Sequence, residues 1–251
     1  MTLAELAPYL VLIVIVAALY SSVGHGGASG YIAVLSLTAL TKEVVSSVAL
    51  TMNLLVAGIA FFAYMNQGYF RWRIVWPFLI TSVPAAYLGA GFEVSEEIYY
   101  LVLAAVLVFA AVRLAIPNPK EKEEKKDAPI LPALVLGLFI GLLSGVVGVG
   151  GGIFLSPIVI LLGWGGAKET AAASALFIFV NSCAGIAGRA VEGTYHTDHI
   201  LVLLGAGLVG AVVGSLLGAR KFSPVVVQRT LAAVLIVAAY KLFVTHGPFA
   251  S

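Results

Sequence analysis

Long apolar runs separated by short polar breaks set the pattern of this chain. Read along its length, the runs predict helices over about 7–23, 25–40, 44–65, 73–92, 97–116, 130–147, 150–163, 169–188, 199–219 and 225–245. A helix needs about 20 apolar residues to cross a ~30 Å hydrocarbon layer. Most of these runs have that length and are apolar all round, without the alternation of a membrane β-strand. Two runs, 25–40 and 150–163, are shorter and open with glycines. Each either crosses fully or dips in and returns.

The polar positions divide the chain in two. "PNPKEKEEKKDAP" (117–129) is the only long polar stretch, and its prolines and mixed charges read as a solvated linker. The expected organisation is a first transmembrane repeat over 1–116, a charged linker over 117–129 and a second repeat over 130–251. The flanks resemble each other. "LAAVLVFAAVRL" (103–114) and "LAAVLIVAAYKL" (231–242) agree at most positions. "VGHGG" (23–27) pairs with "VGVGG" (147–151), Lys42-Glu43 with Lys168-Glu169, Gly89 with Gly214, and Asn53 with Asn181. An ordered series of matches at a nearly constant offset is an internal repeat, a common construction in secondary transporters.

Composition agrees with a membrane solvent. Hydrophobic residues make up 61% and charged residues 10%, against about 25% charged in an average soluble domain. The net charge of +2 gives no reason to expect nucleic acid, and one cysteine, Cys183, allows neither an internal disulfide nor a metal cluster. No cofactor site and no metal site is expected. The N-terminal "MTLAELAPYL" has no Lys or Arg before its apolar run, which argues against a cleaved signal peptide.

Charge sets the orientation through the excess of Lys and Arg on the cytoplasmic side. With the linker in the cytoplasm and five crossings per half, the basic residues divide 11 inside to 3 outside, the three being Lys42, Arg189 and Lys241. Four crossings per half give 9 to 5. The expected fold is therefore an all-α polytopic membrane protein of two inverted repeats of about five segments each. The second segment of each is short and glycine-broken.

The stretch "GHGGASG" (24–30) admits three chemical readings. "GASG" (27–30) fits the G-x-S-G pattern of intramembrane serine proteases, with Ser29 as nucleophile and His25 four residues before it as the neighbouring base. The pattern is short in a chain rich in Gly and Ala, and the repeat partner "GVGGGIF" has neither Ser nor His. A phosphate loop would need a Gly-Lys-Ser/Thr ending, which is absent. Small residues for close helix packing account for Gly58, Gly137, Gly141, Gly205 and Gly207. They do not account for two glycine clusters at the same place in both repeats.

A pair of helix breaks does. Irregular backbone inside a membrane is tolerated where it lines protein or a water-filled cavity. A helix that restarts after the break offers free N–H groups and a partial positive charge. Two breaks meeting near the midplane form an anion site that needs no buried Lys or Arg. No charged residue lies deep in any predicted span, whereas cation transporters commonly show buried carboxylates.

"SVGHGGASGYIAVLSL" and "GLLSGVVGVGGGIFLSPIVILL", each followed by an apolar span carrying an Asn, resemble the TauE/SafE family of membrane anion transporters, also called the sulfite exporter or TSUP family. The resemblance covers nearly the whole chain. The second half meets G-x-G-G-G-x-x-x-x-P with Gly148, Gly150, Gly151, Gly152 and Pro157; the first half has Ala28 at the third triplet position and no matching proline. The resemblance implies a secondary transporter of sulfite, sulfoacetate or other organosulfonates working by alternating access in a bacterial inner membrane, and not an enzyme. An anion channel of the same fold is the alternative within transport, and the Ser29 protease the alternative outside it.

The candidate substrate-binding residues are Asn53 and Asn181, the glycines Gly24, Gly26, Gly27, Gly148, Gly150, Gly151 and Gly152, with His25 and Ser29. An Asn amide donates two hydrogen bonds without charge; its plain structural use is an interhelical tie. His25, with a reference pKa of ~6.5, can donate to the anion or carry a coupling proton, or sit as a hydrogen-bonded core histidine. Ser22, Thr51, Ser144 and Ser174 are further hydroxyl donors that also suit helix carbonyls. Arg189, at the outer end of a span, reads as an interfacial side chain reaching for water, with attraction of anions to the mouth as the alternative. Tyr69, Phe70, Trp72 and Trp76 read as an interfacial aromatic belt. Beyond a small anion and membrane lipid no partner is implied. The sequence leaves open the oligomeric state, the coupling ion and the direction of transport.

Overall fold

A computed structural model describes residues 3–22, 26–92, 94–116, 127–196, 200–221 and parts of 229–244. Nine α-helices stand among the described residues: α1 Leu3–Ser22, α2 Ala28–Leu35, α3 Lys42–Asn66, α4 Trp72–Ala90, α5 Glu96–Ala115, α6 Ile130–Val147, α7 Gly152–Leu162, α8 Ala167–Val191 and α9 Ile200–Lys221. Helical residues recur through 229–244. By length and apolar composition Lys42–Asn66, Ile130–Val147 and Lys168–Val191 can each cross a membrane. Large apolar side chains point outward, among them Leu131 at 72%, Phe139 at 61% and Leu201 at 81% exposure. That surface suits acyl chains rather than water. The chain is an all-helical, polytopic membrane protein.

The most extensive helix seams join the two halves: α4 on α6, α1 on α9, α4 on α8 and α3 on α8. Each of these seams pairs a helix before the charged linker with one after it. The α4–α6 seam shows why the backbones meet. Gly137, Gly141 and Gly145 recur every fourth residue on one face of α6, and a methyl on any of them would run into the α4 backbone at Phe78, Ser82 and Ala86. Small residues at this spacing let helices approach closely enough for dispersion contacts between main chains. Gly205 has open space around its α-carbon instead, so the packing expected there is absent.

Charged residues sort to two ends. At one end Arg71 pairs with Asp127 at 3.2 Å and Glu169 at 3.6 Å, Arg73 with Asp127 at 3.0 Å, and the Lys168 ammonium donates to the Tyr69 hydroxyl at 2.9 Å. At the other, Lys42, Val94, Arg189 and Thr194 line one cavity. Helix α3 starts at the Lys42 end and leads to Tyr69. Helix α8 starts beside Tyr69 and ends at Arg189. The two corresponding helices therefore run antiparallel.

The short second segments are only partly helical. Helix α2 has 8 residues and α7 has 11, about 12 and 16 Å at 1.5 Å per residue. Residues 36–39, expected as helix, form turns. The Tyr9 hydroxyl reaches the Leu37 carbonyl and the Tyr20 hydroxyl meets Ser29 Oγ, so α2 runs back along α1. Helix α6 ends beside Ser46 and Arg189, and α7 leads to Trp164, which packs on Phe78 with ring centroids 6.1 Å apart. The stretch 148–162 thus returns the chain from the Arg189 end toward the Lys168 end.

Candidate functional site

Both helix breaks are built on glycines in the left-handed region. Gly27, which precedes α2, has φ 86°; Gly148, Gly150 and Gly151, between α6 and α7, have φ 84°, 78° and 79°. Residues with a β-carbon avoid this region. Among the described residues no side chain caps the first turn of α2 or α7, so the leading N–H groups of both helices lack the usual side-chain acceptor there.

One side chain sits between the breaks. Asn53, fully buried in α3, donates from Nδ2 to the Val149 carbonyl at 3.1 Å, tying the first half to the break of the second. A methyl group added at Gly150 would lie 2.5 Å from Asn53 Nδ2, and one at Gly26 would lie 3.1 Å from Asn53 Oδ1. Ile178 of α8 touches both positions. From this level α2 runs toward the Lys42 end and α7 toward the Lys168 end. The Asn53 Oδ1 atom has no hydrogen-bond partner among the described residues. Beside it Tyr20, Gly26, Gly27, Ser29, Val149 and Ile153 enclose a cavity of about 20 Å³, room for about one water and too little for a sulfonate.

The other candidates are placed differently. Asn181 is fully buried, but its amide donates along its own helix to the Phe177 carbonyl at 2.9 Å, and Oδ1 has no partner among the described residues. Gly151 and Gly152 lie against Phe177 and Ile178, and Gly148 against Ser46. Ser182 Oγ, buried and without a hydrogen-bond partner among the described residues, lies near Gly150. Ser29 Oγ is 2.7 Å from the Tyr20 hydroxyl. Thr51 bonds its own helix and Tyr195, and Ser174 bonds Ser156. Gly24 and His25 lie outside the described residues, as does the Ser22 side chain.

Arg189 departs from its sequence reading. It does not reach for water: it is 6% exposed and donates from one terminal nitrogen to the carbonyls of Gly145 and Val146, at 3.0 and 3.1 Å. These are among the last carbonyls of α6, which have no partner inside their own helix. A cation there also meets the negative end of the helix dipole. Gly185 and Gly188, one turn apart ahead of it, set α8 against Leu50 and the α4 backbone; nothing in the local sequence marks the α6 carbonyls as its partners.

The comparisons with known proteins follow this architecture. The family model for the sulfite exporter TauE/SafE matches residues 9–242. The chain is 33% identical over 232 residues to the probable membrane transporter protein y4hK of Sinorhizobium fredii (strain NBRC 101917 / NGR234), covering 91% of this chain and 94% of that protein. No solved structure matches. With helices that suit a bilayer and a family match spanning both glycine breaks, this chain belongs to the TauE/SafE sulfite exporter family of membrane transporters.

Proposed function

We propose that the protein is a secondary transporter of sulfur oxyanions, either sulfite or the head group of sulfoacetate and related organosulfonates, which it carries by alternating access. The substrate lies between the two glycine breaks at the level of Asn53. The observation that carries this reading is the meeting of Gly26 and Gly150, 124 positions apart in sequence, on one buried asparagine. Free N–H groups at two helix starts, amide donors of Asn53 and Asn181 and nearby hydroxyls supply hydrogen bonds to a sulfonate without a buried cation. The antiparallel course of α3 and α8 supports two inverted repeats, 1–116 and 130–251, joined by a cytoplasmic linker in a bacterial inner membrane. His25 is the candidate for proton coupling.

The cavity beside Asn53 is smaller than any sulfur oxyanion, so binding requires the repeats to move apart, and rocking of one against the other opens the site to either end in turn. The test is flux of radiolabelled sulfite and sulfoacetate into proteoliposomes. A carrier gives saturable flux that is stimulated by the same anion on the far side. Flux without saturation would instead indicate a channel, and no flux of any sulfur oxyanion would reject the reading.

A further inference from the structure

A second cavity, of about 310 Å³, opens at the Lys42 end, lined by Lys42, Glu43, Ser46, Tyr99, Arg189 and Thr194 among others. We propose that it is an entry subsite that captures the oxyanion before it reaches Asn53, an inference that rests on the transport reading above. Its described lining carries two cations and one carboxylate. Arg189 is 6% exposed; one of its terminal nitrogens is taken by the α6 carbonyls, while Nε has no acceptor among the described residues. A buried guanidinium N–H without an acceptor favours an anion beside it. The Lys42 ammonium gives one hydrogen bond to the Val94 carbonyl at 2.9 Å and lies 3.9 Å from Glu43, leaving donors for a ligand. The Ser46 and Tyr99 hydroxyls, 3.0 Å apart, line the same space.

The location fits an entry point. Ser46 Oγ donates to the Val147 carbonyl at 3.3 Å, at the edge of the second glycine break. Asn53 follows Ser46 by two turns of α3, about 10 Å along the axis. An oxyanion held by Arg189 and Lys42 therefore lies one short step from the break, in a space that, unlike the one at Asn53, already admits it.

The test uses the full chain carrying Cys183→Ser, with Thr194→Cys as a reporter in the cavity. Thiol modification by the anionic sulfonatoethyl methanethiosulfonate is timed with sulfate, or with gluconate at equal ionic strength. Sulfate is expected to slow modification several-fold. Without sulfate, and relative to each reagent's rate with a small free thiol, the anionic reagent is expected to be favoured over its trimethylammonium counterpart about twofold or more, because the described lining carries one cation more than it carries carboxylates. Lys42→Gln, which gives up the Val94 contact and the Glu43 ion pair, and Arg189→Lys, which keeps the charge but loses the fork, should both reduce the protection. Asn53→Ala should leave it in place. Absence of sulfate protection, or equal protection in Lys42→Gln and Arg189→Lys, overturns the proposal. Loss of protection in Asn53→Ala alone also overturns it, because the effect then belongs to the central site. If flux ignores Asn53 while protection still depends on Lys42, the central-site reading falls and the subsite stands.

Discussion

Asn53 donates its side-chain amide to the Val149 carbonyl, 3.1 Å away and 96 residues further along the chain. Its sequence counterpart Asn181 instead donates to Phe177, four residues back on its own helix. Equivalent residues thus carry unequal loads. Asn53→Ala leaves a buried carbonyl without a partner, at a cost of about 1–3 kcal/mol. Thermal unfolding in detergent without substrate should show a clearly lower midpoint for Asn53→Ala than for Asn181→Ala. Under the proposed function both variants should also weaken sulfite binding, seen as a smaller upward shift of the midpoint with added sulfite. Unchanged shifts in both would remove the asparagines from the site.

Glycine substitutions should separate into two groups. Gly150→Ala meets a disfavoured φ of 78° and collides with Asn53 Nδ2, so destabilisation by more than about 1 kcal/mol is expected. Gly205 lies inside α9 with nothing near a would-be β-carbon. Gly205→Ala should therefore stabilise by roughly 0.5–1 kcal/mol, the ordinary helix preference for alanine. Equal midpoints for the two variants would contradict this account of the breaks.

Arg189→Met removes the side-chain donor from the last carbonyls of α6. The expected loss is about 2–3 kcal/mol, the range for a charged hydrogen bond and its buried acceptor. Hydrogen exchange near Val146 should rise together with the fall in midpoint. A variant as stable as the parent would mean that the arginine cap contributes nothing.

Ser29 should not behave as an activated nucleophile. Its hydroxyl is paired with Tyr20 at 2.7 Å, and a phenol is a poor general base near neutral pH. Treatment with a fluorophosphonate should leave Ser29 unlabelled by mass spectrometry. Stoichiometric labelling would revive the protease alternative.

Much of this architecture could be read directly from residue order. The apolar runs located the long helices within a few residues, and the glycine clusters located both breaks. The limit lies in what one-dimensional apolarity can say. Residues 36–41, "SLTALT", continue the apolar run after α2, yet 36–39 turn, because a buried turn and a buried helix look alike in composition. Arg189 stands where an apolar run ends, and only the approach of α6 shows that it is enclosed. Gly137 and Gly141 announced a close contact without naming α4 as the partner. Asn53 and Asn181 were marked by the repeat, but their different hydrogen bonds depend on three-dimensional placement.

The exchange of seams between the halves also bears on how the protein is made. Helix α1 is synthesised well before α9, yet its most extensive seam is with that helix, nearly two hundred residues later. It must therefore wait in the bilayer with its packing face covered by lipid, or by the insertion machinery, until the second half arrives. Neither half can complete its packing alone. A chain interrupted in the linker should yield fragments that are vulnerable to proteolysis when expressed singly and that protect each other when expressed together.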